Sequence, residues 1–298
     1  MATTDLPPLS PEFDSLAPAN PMDRRGFMAT AIGAAVGAGF ALAVQPVCAQ
    51  TQIRTDSDGL KTASIAVPAG SESVPAYCAR PAGNGPFPVV LVVSEIFGVH
   101  EYIQDVCRRL AKLGYLAIAP QLFQRQGDPS RVDSIAVLME TIIAKVPDAQ
   151  VLADLDACSA WAARNGGDAA RLGITGFCWG GRITWLYCAH NPAVKAGVAW
   201  YGRLVGKVSD LTPRHPLDLA PDLKAPVLGL YGGQDPGIPP ETVEQMRSAL
   251  KMAGKASEIL VYPEAPHAFH ADYRPSYRPD AAADGWRRLQ DWFRRNGV

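Results

Sequence analysis

The sequence predicts an α/β fold in which helices cover both faces of a mostly parallel central sheet. From residue 60 onward, short apolar segments alternate with longer segments of helical periodicity, as they do where helices connect parallel strands. Residues 89–94 form a continuous apolar, β-branched run, which suits a strand buried on both faces. Near the end of the chain, Trp286, Leu289 and Phe293 fall on one side of a helix and give it a buried face.

The expected elements follow one another along the chain from residue 60. We expect strands at residues 63–67, 74–79, 89–94, 116–119, 172–176, 196–200, 227–231 and 258–262, the first two as an antiparallel hairpin. We expect helices at residues 102–113, 134–145, 148–164, 180–190, 241–252 and 285–295. Boundaries coincide with Gly114, Pro120 and Pro147, residues that end or separate regular elements. No internal repeat occurs, so residues 50–298 are predicted to form one domain.

Composition and charge narrow the classes of function. Of the 298 residues, 48% are apolar and 19% are charged, which provides ample material for a core. The formal net charge is −1 and like charges do not cluster, so the basic footprint of a nucleic-acid-binding protein is absent. No zinc-type spacing of Cys and His occurs, and we expect neither metal nor cofactor. The sequence leaves open whether Cys78, Cys107, Cys158 and Cys188 form disulfides.

The first 49 residues are predicted to lie outside the folded domain, and they have the features of a twin-arginine export signal. Arg24 and Arg25 precede a weakly apolar run at residues 26–44, and small residues follow at Val47-Cys48-Ala49, where a signal peptidase would cut. We therefore expect a periplasmic protein with no stable membrane span after cleavage; a transmembrane anchor is the alternative. Met22 stands just before the arginines, which suggests that residues 1–21 are an over-extended gene start.

The strongest chemical signal is the segment Gly-Phe-Cys-Trp-Gly-Gly at residues 176–181, between an expected strand and an expected helix. This spacing is the nucleophile elbow of α/β-hydrolases, with Cys178 where serine is commoner. The glycines let the neighbouring strand and helix pass close to the turn, and the helix N-terminus favours a thiolate. A buried structural cysteine beside a tight turn is the alternative interpretation.

A nucleophile of this kind needs a base, and the base needs a group that orients it. Asp235 lies just past the strand at 227–231, and His267 just past the strand at 258–262. Catalytic groups of open parallel sheets gather at that edge, and the order nucleophile, acid, histidine is that of α/β-hydrolases. His270 is an alternative base in the same loop, but His267 follows the strand more closely.

The loop after the buried strand at 89–94 supplies the last expected part of the site. In an α/β-hydrolase, one N–H of this loop and the N–H after the nucleophile bind the oxyanion, and here these belong to Ile96 and Trp179. Glu95 would then lie in the pocket beside Cys178, where its charge opposes thiolate formation. A solvated loop glutamate is the alternative interpretation.

Four segments give the chain a specific resemblance to the dienelactone hydrolase (carboxymethylenebutenolidase) family: EIFGV at 95–99, GFCWGG at 176–181, GQD at 233–235 and EAPHAF at 264–269. The resemblance implies a monomeric, metal-independent hydrolase that opens an enol-lactone through an acyl-cysteine intermediate. It further implies that Glu95 matches a glutamate that keeps the cysteine largely neutral until substrate binds.

The chain departs from this family at the residues that bind the substrate carboxylate. Archetypal members use two arginines, one after the third strand and one four residues after the catalytic histidine, where this chain has Ala271. The substrate therefore stays open among small carboxylic esters and lactones. A thioesterase, a non-catalytic protein and a redox-sensing thiol protein are the alternatives. The candidate substrate-binding residues are Arg125, Arg131, Tyr201, Tyr273 and Arg274.

Overall fold

Eight strands and seven α-helices make up the computed structural model, which describes residues 51–298. The strands are β1 (Leu60–Ala69), β2 (Glu72–Pro81), β3 (Phe87–Val93), β4 (Leu116–Pro120), β5 (Gly167–Phe177), β6 (Val194–Trp200), β7 (Val227–Gly232) and β8 (Glu258–Tyr262). The helices are α1 (Glu101–Lys112), α2 (Ile135–Thr141), α3 (Asp148–Arg164), α4 (Trp179–His190), α5 (Pro216–Leu219), α6 (Pro240–Met252) and α7 (Pro279–Arg295). Short 3₁₀ turns lie at Pro129–Arg131, Ile143–Lys145 and Ala220–Asp222.

The predicted export signal, including the proposed start at Met22, lies outside the described residues and stays a prediction. Within residues 51–298, none of the helices has the length and apolar character needed to cross a membrane.

All eight strands join one sheet in the order β1-β2-β4-β3-β5-β6-β7-β8. The predicted hairpin of β1 and β2 is present, and β2 is also antiparallel to β4, whereas the remaining neighbours are parallel. The ladder pairs Val93 of β3 with Gly176 of β5, and Phe177 of β5 with Trp200 of β6. The carboxyl ends of these strands therefore meet at one edge, where Cys178 follows β5.

Helices cover both faces of the sheet, as the sequence predicts. A Cβ atom on Gly173 of β5 would lie 3.2 Å from the Phe293 ring of α7, and a Cβ on Gly197 of β6 would lie 2.6 Å from the Cys188 sulfur of α4. Gly197 pairs with Ile174, the residue after Gly173, and successive strand residues point to opposite faces. Helices α4 and α7 thus lie on opposite sides of the sheet.

Some boundaries differ from the sequence-based expectation. The single helix expected at 134–145 is divided, because Ile142 leaves helical geometry at φ −119° between α2 and the following 3₁₀ turn. Helix α7 begins at Pro279 rather than at the expected Gly285. Proline is well suited to the first turn of a helix. Gly285 lies inside α7, where the absence of a side chain lets the helix pack against Trp200: a Cβ there would lie 2.6 Å from the Trp200 ring.

Two glycines of the elbow allow strand and helix backbones to touch. A Cβ on Gly176 would lie 2.2 Å from the Gly180 carbonyl oxygen, and a Cβ on Gly180 would lie 2.3 Å from the Val93 carbonyl oxygen. Backbone atoms cannot swing aside as the end of a flexible side chain can. Strand β3, the end of β5 and the first turn of α4 are consequently fixed against one another at the site.

Gly180→Ala should lower the free energy of unfolding by about 1–3 kcal/mol, since the added methyl group overlaps the β3 backbone. Urea denaturation measures the difference. Gly83→Ala is the matched control, because no atom lies within 4 Å of a Cβ at that position, and it should change stability by less than about 0.5 kcal/mol. Equal stability of Gly180→Ala and Gly83→Ala would show that the contact at the elbow is not tight.

Candidate active site

Cys178 is the single residue between β5 and α4, and it lies in a strained turn. Its backbone has φ 55° and ψ −115°, a region that residues with a Cβ rarely adopt. The Cys178 N–H donates to the Trp200 carbonyl at 3.0 Å, which fixes the turn to the end of β6. The side chain is 7% exposed. The turn therefore presents the sulfur at the N-terminus of α4, where the helix dipole favours a negative charge.

Asp235 and His267 lie on the loops after β7 and β8, and they are hydrogen-bonded. His267 Nδ1 is 2.5 Å from Asp235 Oδ2, and Asp235 Oδ1 accepts the Gly237 N–H at 2.9 Å. Both side chains are buried. His267 Nε2 has no nitrogen or oxygen partner among residues 51–298, and the Cys178 sulfur interacts with this imidazole. The structure thus brings the three predicted triad residues together.

The charges around His267 favour the protonated imidazole. Burial lowers the pKa of His267, but the Asp235 carboxylate and the Cys178 sulfur outweigh burial and raise that pKa to about 10. The imidazole therefore holds its proton at neutral pH beside the sulfur. An imidazolium in this place stabilises a thiolate, which is the reactive form of cysteine.

His270, the alternative base, lies in an aromatic cluster and not on the acid. Its Nδ1 is 2.6 Å from the Tyr102 hydroxyl, and its ring is 4.4 Å from the Trp200 ring and 5.4 Å from the Phe177 ring. Burial, aided by the charge of Arg109, lowers the pKa of His270 well below its usual range. His270 is therefore a neutral core residue.

Two backbone N–H groups lie on the segments that follow β3 and β5, the two adjacent strands at the elbow. Trp179 is the first residue of α4, so its N–H has no partner within the helix. Ile96 follows β3, which neighbours β5. Among residues 51–298, neither the Ile96 nor the Trp179 N–H donates a hydrogen bond. This arrangement suits the binding of an oxyanion.

Glu95 is buried at the end of β3 and is held by residues that sequence reasoning did not connect to it. The Tyr273 hydroxyl donates to Glu95 Oε1 at 2.8 Å, and His100 Nε2 lies 3.4 Å from the same oxygen. Burial raises the pKa of Glu95, but the charge and hydrogen bond of His100, together with Tyr273, outweigh burial and lower it. Glu95 is thus an ionised, buried carboxylate, contrary to the alternative of a solvated loop residue.

Tyr201 packs against His267 and interacts electrostatically with Glu95 and Cys178. Its ring is 5.1 Å from the His267 ring, and its backbone φ of 39° is a second non-glycine value in the left-handed region at this site. Burial raises the pKa of Tyr201 well above its usual range, and the charges of Glu95 and Cys178 add to this effect. The phenol therefore stays neutral and can donate a hydrogen bond.

The arginines expected to bind a substrate carboxylate separate into two groups. Arg125 does not join the site, because its guanidinium pairs with Glu72 and, through two hydrogen bonds, with the buried Asp154. Arg131 is a surface residue whose side chain is 85% exposed beside Asp128. One guanidinium is engaged by two carboxylates and the other faces solvent, and the role of both residues in substrate binding stays a prediction.

Arg274 and a second arginine are buried close to residues of the site. The Arg274 guanidinium is buried and lies 5.8 Å from the centre of the Phe97 ring, and its charge acts on both Tyr201 and Tyr273. Arg203, which sequence reasoning missed, follows Tyr201 by two residues, and burial lowers the pKa of Arg203 to about 10. Its place just past the end of β6, the strand next to the elbow, was the signal that could have identified it.

The described residues contain no group of three His, Cys, Asp or Glu side chains placed to bind a metal ion.

Comparisons with known proteins agree with the geometry. The model of the dienelactone hydrolase family matches residues 74–297. A protein of Methylorubrum extorquens is 62% identical over 96% of this chain and 98% of its own length, and one of Escherichia coli K12 is 58% identical over 87% and 96%. Both carry the name "Putative carboxymethylenebutenolidase". A crystal structure of a "Putative Dienelactone Hydrolase" from Klebsiella pneumoniae is 60% identical, with a TM-score of 0.78 over 79% of this chain and 98% of that chain. The predicted α/β-hydrolase fold is confirmed.

The five cysteines of residues 51–298 are all free thiols. Burial raises the pKa of Cys78 to about 11, and burial also raises the pKa values of Cys107, Cys158 and Cys188. These four thiols are therefore protonated and inert at neutral pH.

In the native protein at about pH 7.5, iodoacetamide should alkylate Cys178 and none of the four other thiols, because only Cys178 has an imidazolium beside it. Mass spectrometry of proteolytic fragments identifies the labelled residue. The same reagent in urea should label all of the free thiols and serves as the control. A second thiol that reacts natively at a similar rate would contradict the difference in ionisation.

Proposed function

We infer that this chain, which belongs to the dienelactone hydrolase family and is a hydrolase of carboxylic esters or lactones, acts through an acyl-cysteine intermediate. The observation that carries the inference is the position of His267, bonded to Asp235 through Nδ1 and interacting with the Cys178 sulfur. In this arrangement one imidazole can exchange a proton with each group that takes part in the reaction.

Acylation begins when the Cys178 sulfur attacks the acyl carbon of the substrate. As the new S–C bond forms, the carbonyl π electrons move onto the oxygen, and the Ile96 and Trp179 N–H groups bind the resulting oxyanion. When this intermediate collapses, the bond from carbon to the leaving oxygen breaks, and His267 Nε2 gives that oxygen its proton. The leaving oxygen of a lactone stays attached to the acyl chain, so the ring opens as the acyl-cysteine forms.

Deacylation uses the same groups in the reverse direction. Neutral His267 takes a proton from a water molecule, whose oxygen attacks the thioester carbon, and the Ile96 and Trp179 N–H groups bind the second oxyanion. Collapse of that intermediate releases the carboxylic acid and returns the thiolate beside the imidazolium. Throughout, the bond to Asp235 keeps Nε2 directed at the reacting atoms.

Glu95 places a buried negative charge close enough to Tyr201 and Cys178 to affect the same surroundings. The charges of both Glu95 and Cys178 raise the pKa of Tyr201. A carboxylate in this position disfavours a second negative charge on the sulfur. We propose that a bound substrate offsets this effect and that the thiolate then forms next to its target.

The cationic groups at the pocket favour a substrate with a negative charge. Arg274 lies with Tyr201 and Tyr273 on one side of the site, where Ala271 provides no charge of its own. The relatives' name, carboxymethylenebutenolidase, denotes action on a lactone that carries a carboxymethylene group. A small ester or lactone with a carboxylate is the substrate class we propose; thioesters are the alternative acyl donors.

Cys178→Ala should lower kcat/KM for aryl esters and lactones by at least about a thousandfold, and Asp235→Asn by about a hundredfold to ten-thousandfold, since the imidazole loses its orientation. Steady-state hydrolysis assays measure both values. Cys188→Ala, a buried cysteine on the same helix, is the matched control and should keep activity. Hydrolysis that survives Cys178→Ala would exclude the acyl-cysteine, and a wild-type protein without turnover would favour the redox-sensing or non-catalytic alternatives.

Glu95→Gln should make the resting enzyme react about three- to tenfold faster with iodoacetamide at neutral pH, because a nearby negative charge is removed. The rate of alkylation at Cys178 is followed by mass spectrometry. Glu244→Gln changes an exposed glutamate that pairs with Arg247 and should leave the rate unchanged. An unaltered rate in Glu95→Gln would show that this carboxylate does not restrain the sulfur.

A further inference from the structure

The segment of residues 51–58, here called the N-terminal strap, is bonded to the loop that follows His267 and to helix α1. The Thr51 hydroxyl donates to the Asp272 carbonyl at 2.5 Å. The Thr55 N–H donates to Asp105 Oδ1 at 2.5 Å, and Arg108 Nε donates to the Thr55 carbonyl at 2.9 Å. The strap therefore holds two separate parts of the domain, one of which leads into the active site.

A buried charge network connects the same two parts beneath the strap. Arg109 Nε lies 2.5 Å from Asp105 Oδ2, and Arg109 Nη2 lies 2.5 Å from Asp272 Oδ2. Arg108 Nη2 donates to the other oxygen of Asp105 at 3.0 Å. The two aspartate side chains are each 1% exposed. A guanidinium that bridges two buried carboxylates fixes both in direction as well as in distance.

The residue after Asp272 is Tyr273, whose hydroxyl donates to Glu95 at 2.8 Å. Asp272 is held at its carboxylate by Arg109 and at its carbonyl by Thr51. The start of the Tyr273 backbone is consequently fixed from two directions, and its ring packs 5.3 Å from the Tyr102 ring of α1. A displacement of Asp272 would be transmitted directly to the Tyr273 hydroxyl.

We propose that Arg109 is a positioning residue, which holds Tyr273 on Glu95 through Asp272, with the N-terminal strap as its second support. The proposal rests on the role of Glu95 in the proposed function. Arg109 itself makes no bond to the triad residues; its two hydrogen-bonded partners are Asp105 and Asp272.

The groups around Glu95 determine what the loss of this support would do. His100 and Tyr273 contact its carboxylate, and the charge of Glu95 also acts on Tyr102 and Tyr201. The hydrogen bond from Tyr273 is one of the interactions that lower the pKa of Glu95. Without this bond Glu95 takes up a proton at higher pH, so its restraint on Cys178 is lifted over a wider range of acidic pH.

A double-mutant cycle tests the route of the effect. Arg109→Met and Tyr273→Phe should each raise the rate at which iodoacetamide alkylates Cys178 at about pH 5 by about twofold. In the Tyr273→Phe background, Arg109→Met should add less than about 1.5-fold, because residues that act through one contact are not additive. An equal effect in both backgrounds, or none in either, would overturn the proposal.

Two further variants keep the test decisive if Arg109→Met does not fold. Arg109→Lys keeps the charge but loses the bridging geometry, and it should show a smaller rise than Arg109→Met. Thr51→Val removes only the hydroxyl that reaches Asp272 and should also raise the rate. Lys112→Met is the matched control, since Lys112 binds Asp56 and the Asp58 carbonyl at the other end of the strap; a rise as large as that of Thr51→Val would contradict the proposal.

Alkylation of Cys178 does not require turnover of a substrate. The experiments can therefore contradict the proposed hydrolase function or the positioning role of Arg109 independently. If the wild-type enzyme hydrolyses no ester or lactone, the proposed function fails while the cycle still reports on Tyr273 and Glu95. If hydrolysis proceeds and the cycle is additive, only the positioning role of Arg109 is lost.

Discussion

The backbone turn at Cys178 is the constraint on which the rest of the site depends. Its left-handed φ would cost free energy in isolation, and it persists because backbone contacts hold it from several sides. The N–H of Cys178 is bonded to the end of β6, and the glycines at 176 and 180 allow β3 and α4 to approach without an intervening side chain. Asp235 follows β7 and His267 follows β8, so the ends of these two strands bring both residues to the sulfur. Sheet order and elbow packing together create the reactive geometry.

Two buried ion pairs of opposite effect meet at this edge. The imidazolium of His267, bonded to Asp235, favours negative charge on the sulfur, whereas the ionised Glu95 opposes it. Burial strengthens both interactions, because a low-dielectric surrounding screens charges less than water does. The neutral phenol of Tyr201, which packs against His267, carries no charge that would alter the balance. In the proposed mechanism, the reactivity of Cys178 is set by a difference between two strong interactions rather than by one weak one.

The sequence predicted the site best where a reactive side chain and the backbone turn or strand that positions it belong to the same short segment. The elbow glycines, the strands before Asp235 and His267, and the order of the triad residues are visible as local patterns, and all three side chains meet in the structure. Contacts between distant segments leave no such pattern. His100 became a partner of Glu95 only through the fold of their loop, and the engagement of Arg125 by Asp154 depends on how α3 packs against β1, β4 and β5. The partners of charged side chains that can reach several places are therefore the part that local sequence patterns do not predict.

The distribution of the thiols limits what oxidation can do to this enzyme. A sulfenic acid formed on Cys178 could be rescued by condensation with a neighbouring thiol. The other thiols of residues 51–298 are sealed in the core and protonated, and Cys188 stands at the far end of the same rigid helix. An oxidant would thus meet a sulfur with no resolving partner inside the domain, and the damage would progress to sulfinic acid unless a small external thiol intervened. The same isolation keeps the thiols of the folded enzyme from exchanging with one another, so the durability of the fold and the vulnerability of Cys178 have a common cause.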